Sequence, residues 1–382
     1  MTLRPYGIVV GGELQIGLEL EVADGVVTAI RPHTGMPEPC VISPAFVNAH
    51  SHLEYRGLQG EVALGDYFGF IRHITELKQG QTPEGIERDC ELAAQENRKT
   101  GVALIGEHSD RPFSGRALKR VGIGGILFQE LITFFEREAP EEKLRAVAER
   151  LASQAKEFGG ETALAPHTAY TVDEVTLKTF SSGDPFSIHV AESVYENQFF
   201  VSGEGPIAEF YRRNGFEVKP TGKSVVATLA ELGLVRKGAQ FVHCCDLSAG
   251  DIVLLAAASV RVAHCPRSNV ALKCPIAPVR EMLDAGIRVG LGLDSAASSG
   301  PIDMFSEMRS ALEVSAYRGK PLSGEEVWQM ATCIESLPFR VPRPSWDIYV
   351  GSRVPLIEIH VEQPNSIVDV IEQGSPELVK WV

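Results

Sequence analysis

From residue 45 onward the chain alternates short, nearly continuous apolar runs with longer amphipathic stretches. Eight runs recur: AFVNAH (45–50), GVALIGEH (101–108), GIGGILFQEL (122–131), TALAPHTAY (162–170), FSIHVAE (186–192), AQFVHCCD (239–246), VRVAHCP (260–266) and RVGLGLD (288–294). Runs of this length read as buried strands. EGIERDCELAAQENRKTG, before the second run, reads as a helix. So does EEKLRAVAERLASQAKEFGG before the fourth, with apolar residues at helical spacing and Gly159–Gly160 as a stop signal. Eightfold strand–helix alternation predicts an α/β fold, a (β/α)8 TIM barrel.

Outside this stretch the pattern changes. GIVVGGELQIGLELEVADGVVTAIRPH reads as short strands divided by Gly-Gly and Asp-Gly turns, and SWDIYVGSRVPLIEIHVEQ resumes short strands after the barrel pattern. The two chain ends are expected to pair as one small β-sandwich. That divides the chain into an N-terminal sandwich part (1–44), the barrel (45–338) and a C-terminal sandwich part (339–382).

His50, His108, His167, His189, His243, His264 and Asp294 each fall at or near the C-terminal end of an apolar run. Barrel enzymes carry their chemistry at that end. In VNAHSHLEY, His50 and His52 stand at i and i+2, so a strand would send both imidazoles to one face. Zinc and similar ions favour imidazole nitrogen and carboxylate oxygen, and a catalytic site keeps one position open for water. Ring closure would set the first strand beside the eighth, so His50, His52, His189 and Asp294 are the candidate ligands. Taken singly, each also reads as a surface pair, a satisfied polar residue or a helix N-cap. Their joint occurrence at the ends of strands one, five and eight favours a metal centre.

Water on such an ion has its pKa lowered to ~7, so a proton shuttle is needed beside it. Glu192, three residues past His189, is placed for that role, a helix-start carboxylate being the alternative. His243 would hydrogen-bond the attacking hydroxide or stabilise a developing oxyanion, unless it is a buried core histidine. His167 and Arg267 are candidate substrate contacts. The guanidinium offers a rigid fork, and an ordinary structural ion pair is equally open for it. The aromatic GDYFGFIRH (65–73) either caps an apolar pocket or packs in the core.

Composition narrows the partners. Of 382 residues 44% are apolar and 23% charged, ordinary for a globular protein. A net charge of -14 without a basic stripe argues against nucleic acid and anionic membrane. MTLRPYGIVVGGELQ lacks the apolar core of a signal peptide, and no apolar run approaches the ~18 residues that span a bilayer, so a cytoplasmic protein is expected. Seven cysteines, two of them adjacent at Cys244 and Cys245, fit reduced thiols. No phosphate-binding G-x-x-x-x-G-K loop occurs, and the glycines of RVGLGLD precede an acid on a strand rather than opening a helix, so a dinucleotide fingerprint fails its context.

With VNAHSHLE, APHTAYT, SIHVAES, FVHC, HCPRSN and GLGLDSAAS in that order, Pro44 to Thr332 resembles the amidohydrolase superfamily, in its metal-dependent deaminase and chlorohydrolase branch. The resemblance implies a barrel with a sandwich made from both termini and one Zn or Fe ion, zinc first, on His50, His52, His189 and Asp294. It also implies Glu192 and His243 as the acid/base pair. The fourth strand ends PHTAY, without the lysine that two-metal members carbamylate, which selects the mononuclear subtype. GDYFGFIRHITELKQ, CPRSN, LGLDSAAS and DMFSEMR are similar to segments of aminodeoxyfutalosine deaminase-like proteins. They imply replacement of the exocyclic amine of a purine-like heterocycle by oxygen. Hydrolysis of another cyclic C–N or C–Cl substrate, or a catalytically silent binding homologue, stays open. The implied partner is a small heterocyclic molecule, and self-association as a homodimer is open. CIESLPFRVPRPSWDIYVG departs from the family's usual return to the sandwich.

Overall fold

The computed structural model describes residues 1–65, 67–136 and 139–382. Each of the eight apolar runs contains a strand: β1 Phe46–Ser51, β2 Val102–Ser109, β3 Gly124–Leu131, β4 Glu161–Pro166, β5 Phe186–Val190, β6 Ala239–His243, β7 Arg261–His264 and β8 Arg288–Leu291. β1 to β4 pair in parallel and in chain order as one sheet, and β5 to β8 do the same as a second. Helices α1 Tyr67–Gln79, α2 Pro83–Lys99, α3 Ser114–Val121 and α4 Glu141–Phe158 connect the first four strands. The two helices read from the sequence are α2 and α4. α2 starts where the Thr82 hydroxyl accepts from Gly85 N, with Pro83 in the first turn. α4 stops at Gly159, whose left-handed φ of 80° suits a residue without Cβ.

Two seams join the sheets. At the first, Asp294 N donates to His50 O at 2.9 Å and His52 N to Asp294 O at 3.3 Å, around a parallel bridge between Ser51 and Asp294. Asn48 reinforces it: its Oδ1 accepts from Leu293 N at 2.9 Å while its Nδ2 donates to Asn97 Oδ1 at 2.9 Å. At the second, His189 N donates to His167 O at 3.0 Å beside a bridge from Thr168 to His189. Asn48→Leu should strand the buried Leu293 amide and Asn97 carbonyl. We expect a loss of about 1–3 kcal/mol, read as a lower urea midpoint at unchanged m.

Side-chain alternation divides each strand between two cores. Val47, Ile126, Phe128, Ala163 and Ala165 form one cluster with Ile334 and Leu337, which follow the last barrel elements. Phe46 faces the other way, fully buried, with Phe305 and Trp328 edge-on at 5.5 Å each. From α1, Tyr67, Phe70 and Ile74 pack with Tyr55, Leu58, Val62, Leu272 and Ala297 as a separate small cluster. The aromatic segment therefore packs locally beside the residues that follow β1 and β8. Its Asp66 lies outside the described residues.

The chain ends supply a five-stranded sheet and a three-stranded one. In the first, Leu356–Ile359 runs antiparallel to Glu38–Pro44, and Val379–Trp381 pairs on its outer edge. Ile8, Ile42 and Leu356 from this sheet share an apolar cluster with Leu20 and Val27 from the other and with Ile348. The C-terminal reading needs correction in detail. Only Leu356–Ile359 of SWDIYVGSRVPLIEIHVEQ is a strand, and Ile367–Gln373 is a helix with a Ser366/Asp369 capping box. Proline at 342, 344 and 355 removes the ladder donors that a longer strand would need. The intervening stretch is instead tied down by Trp346 Nε1, which donates to Ala45 O at 2.6 Å, and by Asp347, which accepts from Gly11 N at 3.0 Å.

Among the described residues no helix is long and apolar enough to cross a membrane. All seven cysteines are free thiols.

Candidate metal centre and active site

The candidate ligands meet where the seams end. The pairing of β1 with β2 slips between Asn48 and Ser51, and such a bulge re-aims the side chains that follow it. His50 and His52 then lie with ring centroids 4.8 Å apart, and His189 sits 4.9 Å from the first and 5.5 Å from the second. One ligand atom from each of the three falls within 4.8 Å of the others. Asp294 Oδ1 lies 3.6 Å from His50 Nε2 and 3.9 Å from His52 Nε2. These separations are too long for hydrogen bonds. Two ligands at ~2.0–2.1 Å from one tetrahedral ion stand ~3.4 Å apart, so the spacing suits a shared ion.

Hydrogen bonding leaves imidazole nitrogens open, while Asp294 Oδ1 also accepts from Ser295 N at 2.8 Å. His50 Nε2 is buried with no protein partner. His189 Nδ1 donates to His167 O at 3.0 Å, which fixes the tautomer that presents Nε2 as a lone pair. Burial, reinforced by neighbouring imidazoles, holds His50 and His52 well below the usual imidazole range, and burial lowers His189 as well. Neutral imidazole is the form that binds a metal. Burial works against ionisation of Asp294, but the neighbouring His243 and His52 outweigh it and its carboxyl lies below the ordinary value. The donor set therefore fits one divalent transition ion.

Beside the ligands, His243 Nε2 stands 3.5 Å from Glu192 Oε2. Asn269 Nδ2 donates to His243 Nδ1 at 3.1 Å, so the ring proton is on Nε2, facing Glu192. Burial, then the charges of Asp294 and Glu196, push the Glu192 carboxyl well above its usual range, and a Tyr67 hydrogen bond offsets part of this. Burial takes His243 down to about 3. Ala191, His243, Cys244 and Asp294 all have positive φ, between 52° and 72°, although none is glycine. Such conformations cost free energy and cluster where a site fixes side-chain aim. Here they turn the chain at the ends of β5, β6 and β8.

His167 borders the group, its ring 5.1 Å from His189 and its Nδ1 bonded to Thr171 Oγ1 at 3.0 Å. Arg267 has one arm of its fork engaged. Its Nη1 donates to Pro301 O at 2.8 Å and lies 3.8 Å from the buried Glu307, whose other oxygen takes the Arg267 amide at 3.0 Å. Glu307 is fully buried, and burial pushes its carboxyl up to about 8 although the Arg267 charge beside it works the other way. Two residues to which the sequence reading gave no role join the site. Glu130, at the end of β3, is buried with Oε1 unpartnered 4.0 Å from His189 Nδ1, and burial pushes its carboxyl up to about 8. His108, at the end of β2, lies with Nδ1 3.0 Å from His50 Nδ1.

Residues 41–334 match the family described as the amidohydrolase family. The chain belongs to that family. Among amidohydrolase relatives, the chain is 31% identical over 327 residues to a 5-methylthioadenosine/S-adenosylhomocysteine deaminase of Natronomonas pharaonis, covering 82% of this chain and 70% of that one. It is also 31% identical over 284 residues to the enzyme of the same name from Nitratidesulfovibrio vulgaris, covering 71% of this chain but only 59% of the relative. In fold it is similar to a zinc-bound adenosine deaminase from Xanthomonas campestris, with a TM-score of 0.80 at 22% identity over 99% of this chain and 90% of that one. The aminofutalosine deaminase of Helicobacter pylori, solved with methylthio-coformycin, gives a TM-score of 0.77 at 18% identity over 99% of both. The TIM-barrel fold read from the eight runs is thus that of known amidohydrolases.

Proposed function

We propose that the protein is a metal-dependent aminohydrolase that replaces the exocyclic amine of a purine-like heterocycle by oxygen. The observation that carries this reading is the convergence of His50, His52, His189 and Asp294 beside the Glu192–His243 pair, in a chain whose curated relatives bear the names of adenosine-type deaminases. Adenosines altered at the 5′ position come first as substrates, and aminodeoxyfutalosine belongs with them.

His50, His52, His189 and Asp294 would hold one divalent ion, zinc before iron. Such an ion supplies an acidified water and positive charge beside the developing oxygen. Glu192 takes one proton of the attacking water and delivers it to the ring nitrogen next to the amine-bearing carbon, and then passes the second, from the hydroxyl that becomes the carbonyl, to the amine as the C–N bond breaks and ammonia leaves. A carboxyl kept out of water with a raised pKa is suited to hold that proton between the two steps. His243, with its proton on Nε2, donates to the developing oxygen, and Asn269 keeps that tautomer. His167, at the rim, and Arg267 contact the substrate.

On this reading the ring of strands closes at both seams, residues 45–338 form the barrel, and 1–44 with 339–382 form the sandwich. The protein works in the cytoplasm on a small heterocycle without nucleic acid or membrane, as a homodimer or alone.

Ammonia release tests the function. Adenosine, 5′-deoxyadenosine, methylthioadenosine, adenosylhomocysteine, aminodeoxyfutalosine, guanine and a pterin form the panel, with zinc-loaded protein. We expect the highest kcat/KM among the adenosine derivatives. Turnover confined to amides, lactams or C–Cl compounds would overturn the deaminase reading and leave a hydrolase.

A further inference from the structure

We propose that His108 is a positioning residue for the metal centre: it accepts a hydrogen bond from His50 and so sets the tautomer and ring orientation of that ligand. The inference rests on the metal reading above and extends it to a side chain outside the ligand set.

The argument starts from one proton. His50 Nδ1 and His108 Nδ1 face each other at 3.0 Å, both fully buried, so one nitrogen carries the hydrogen and the other accepts it. His50 Nε2 has no protein partner and is the nitrogen nearer Asp294, at 3.6 Å. A ring that offers Nε2 to an ion bears its proton on Nδ1. His50 is therefore the donor and His108 the acceptor, with the His108 proton on its own Nε2. The His108 ring is held in place by stacking on Phe128, at 4.8 Å and 30° between planes. Its role differs from that of a ligand, because none of the groups of three that could hold an ion includes it among the described residues.

The three candidate imidazole ligands are supported differently. His189 is oriented by a backbone carbonyl, that of His167, which mutation cannot remove. His52 has Nδ1 buried without a partner and its ring stacked on Tyr55 at 5.3 Å. His50 alone of the three leans on another side chain's acceptor, so its support can be deleted and restored.

Zinc affinity is the readout, measured on the full-length metal-stripped protein by competition with a chromogenic chelator, with Zn²⁺ as the only added ion. His108→Phe keeps an aromatic ring against Phe128 and removes the acceptor. We expect it to bind zinc about 10–100-fold more weakly, the usual range for losing such a support. His108→Asn returns an acceptor oxygen near the Nδ1 position and should recover most of the affinity. A merely structural role would lower the melting temperature without moving the dissociation constant. Wild-type affinity in His108→Phe, or no recovery in His108→Asn, overturns the proposal. Should His108→Phe fail to fold, ¹⁵N spectra of the zinc-loaded wild type decide: His108 Nδ1 is expected unprotonated and His50 Nδ1 protonated, and the opposite assignment overturns it. If the wild type itself binds no zinc, the metal reading falls, an outcome distinct from tight zinc binding that His108→Phe leaves unchanged.

Discussion

Glu192→Gln is expected to retain a full equivalent of zinc and to lose ~10²–10⁴-fold in kcat, the range for removing a positioned acid–base group. Retention follows from geometry. Glu192 stands with His243 and Tyr67 and belongs to none of the groups of three that could hold an ion among the described residues. Glutamine has nearly the same shape as the buried glutamate, so the fold has no reason to respond. What glutamine lacks is the ability to take a proton and give it back. Metal content by elemental analysis, melting temperature and kcat on the best substrate of the panel separate these effects. A variant with unchanged kcat would remove Glu192 from the mechanism, and one that loses its zinc would make it part of the metal centre.

The strands were legible because a strand buried on both faces must be apolar along its length, and a polar residue at its C-terminal end then stands out. β1, β5, β6 and β8 were found in this way with the residues that follow them. Glu130 obeys the same rule at the end of GIGGILFQEL, so its signal was present and unused. The placement of His108 and Asn269 depends on which ring faces which across neighbouring strands, and no spacing along the chain encodes that. Arg267 shows the converse. Its fork was visible, but the buried Glu307 that accepts its backbone amide lies 40 residues away on another helix. At the C-terminus, Ser366 and Asp369 carried a capping signal for the helix Ile367–Gln373, which the strand-like neighbours masked.

Stripping the metal should abolish ammonia release and lower the melting temperature, and Asp294→Ala should reproduce both effects without responding to added zinc. Asp294 is the one anion among the four candidate ligands and also a seam residue, with its amide on His50 O and its carbonyl on His52 N. An ion that binds only the folded chain stabilises it by RT ln(1 + [L]/Kd), about 4.1 kcal/mol at 1,000 times Kd. Without it, the His50 Nε2 lone pair stays buried and unpartnered. The substitution leaves the backbone seam bonds in place, although alanine at a φ of 53° adds strain that the aspartate tolerates better. The comparison that decides is therefore zinc dependence rather than absolute stability. The stripped wild type should regain its melting temperature and activity with one equivalent of zinc, and Asp294→Ala should regain neither. Its loss of activity should exceed that of Glu192→Gln, because without the ion the attacking water is no longer acidified and Glu192 has no nucleophile to deprotonate. Zinc-restored turnover in Asp294→Ala would show that the aspartate is not a ligand, and full activity of stripped wild type would remove the ion from the reaction.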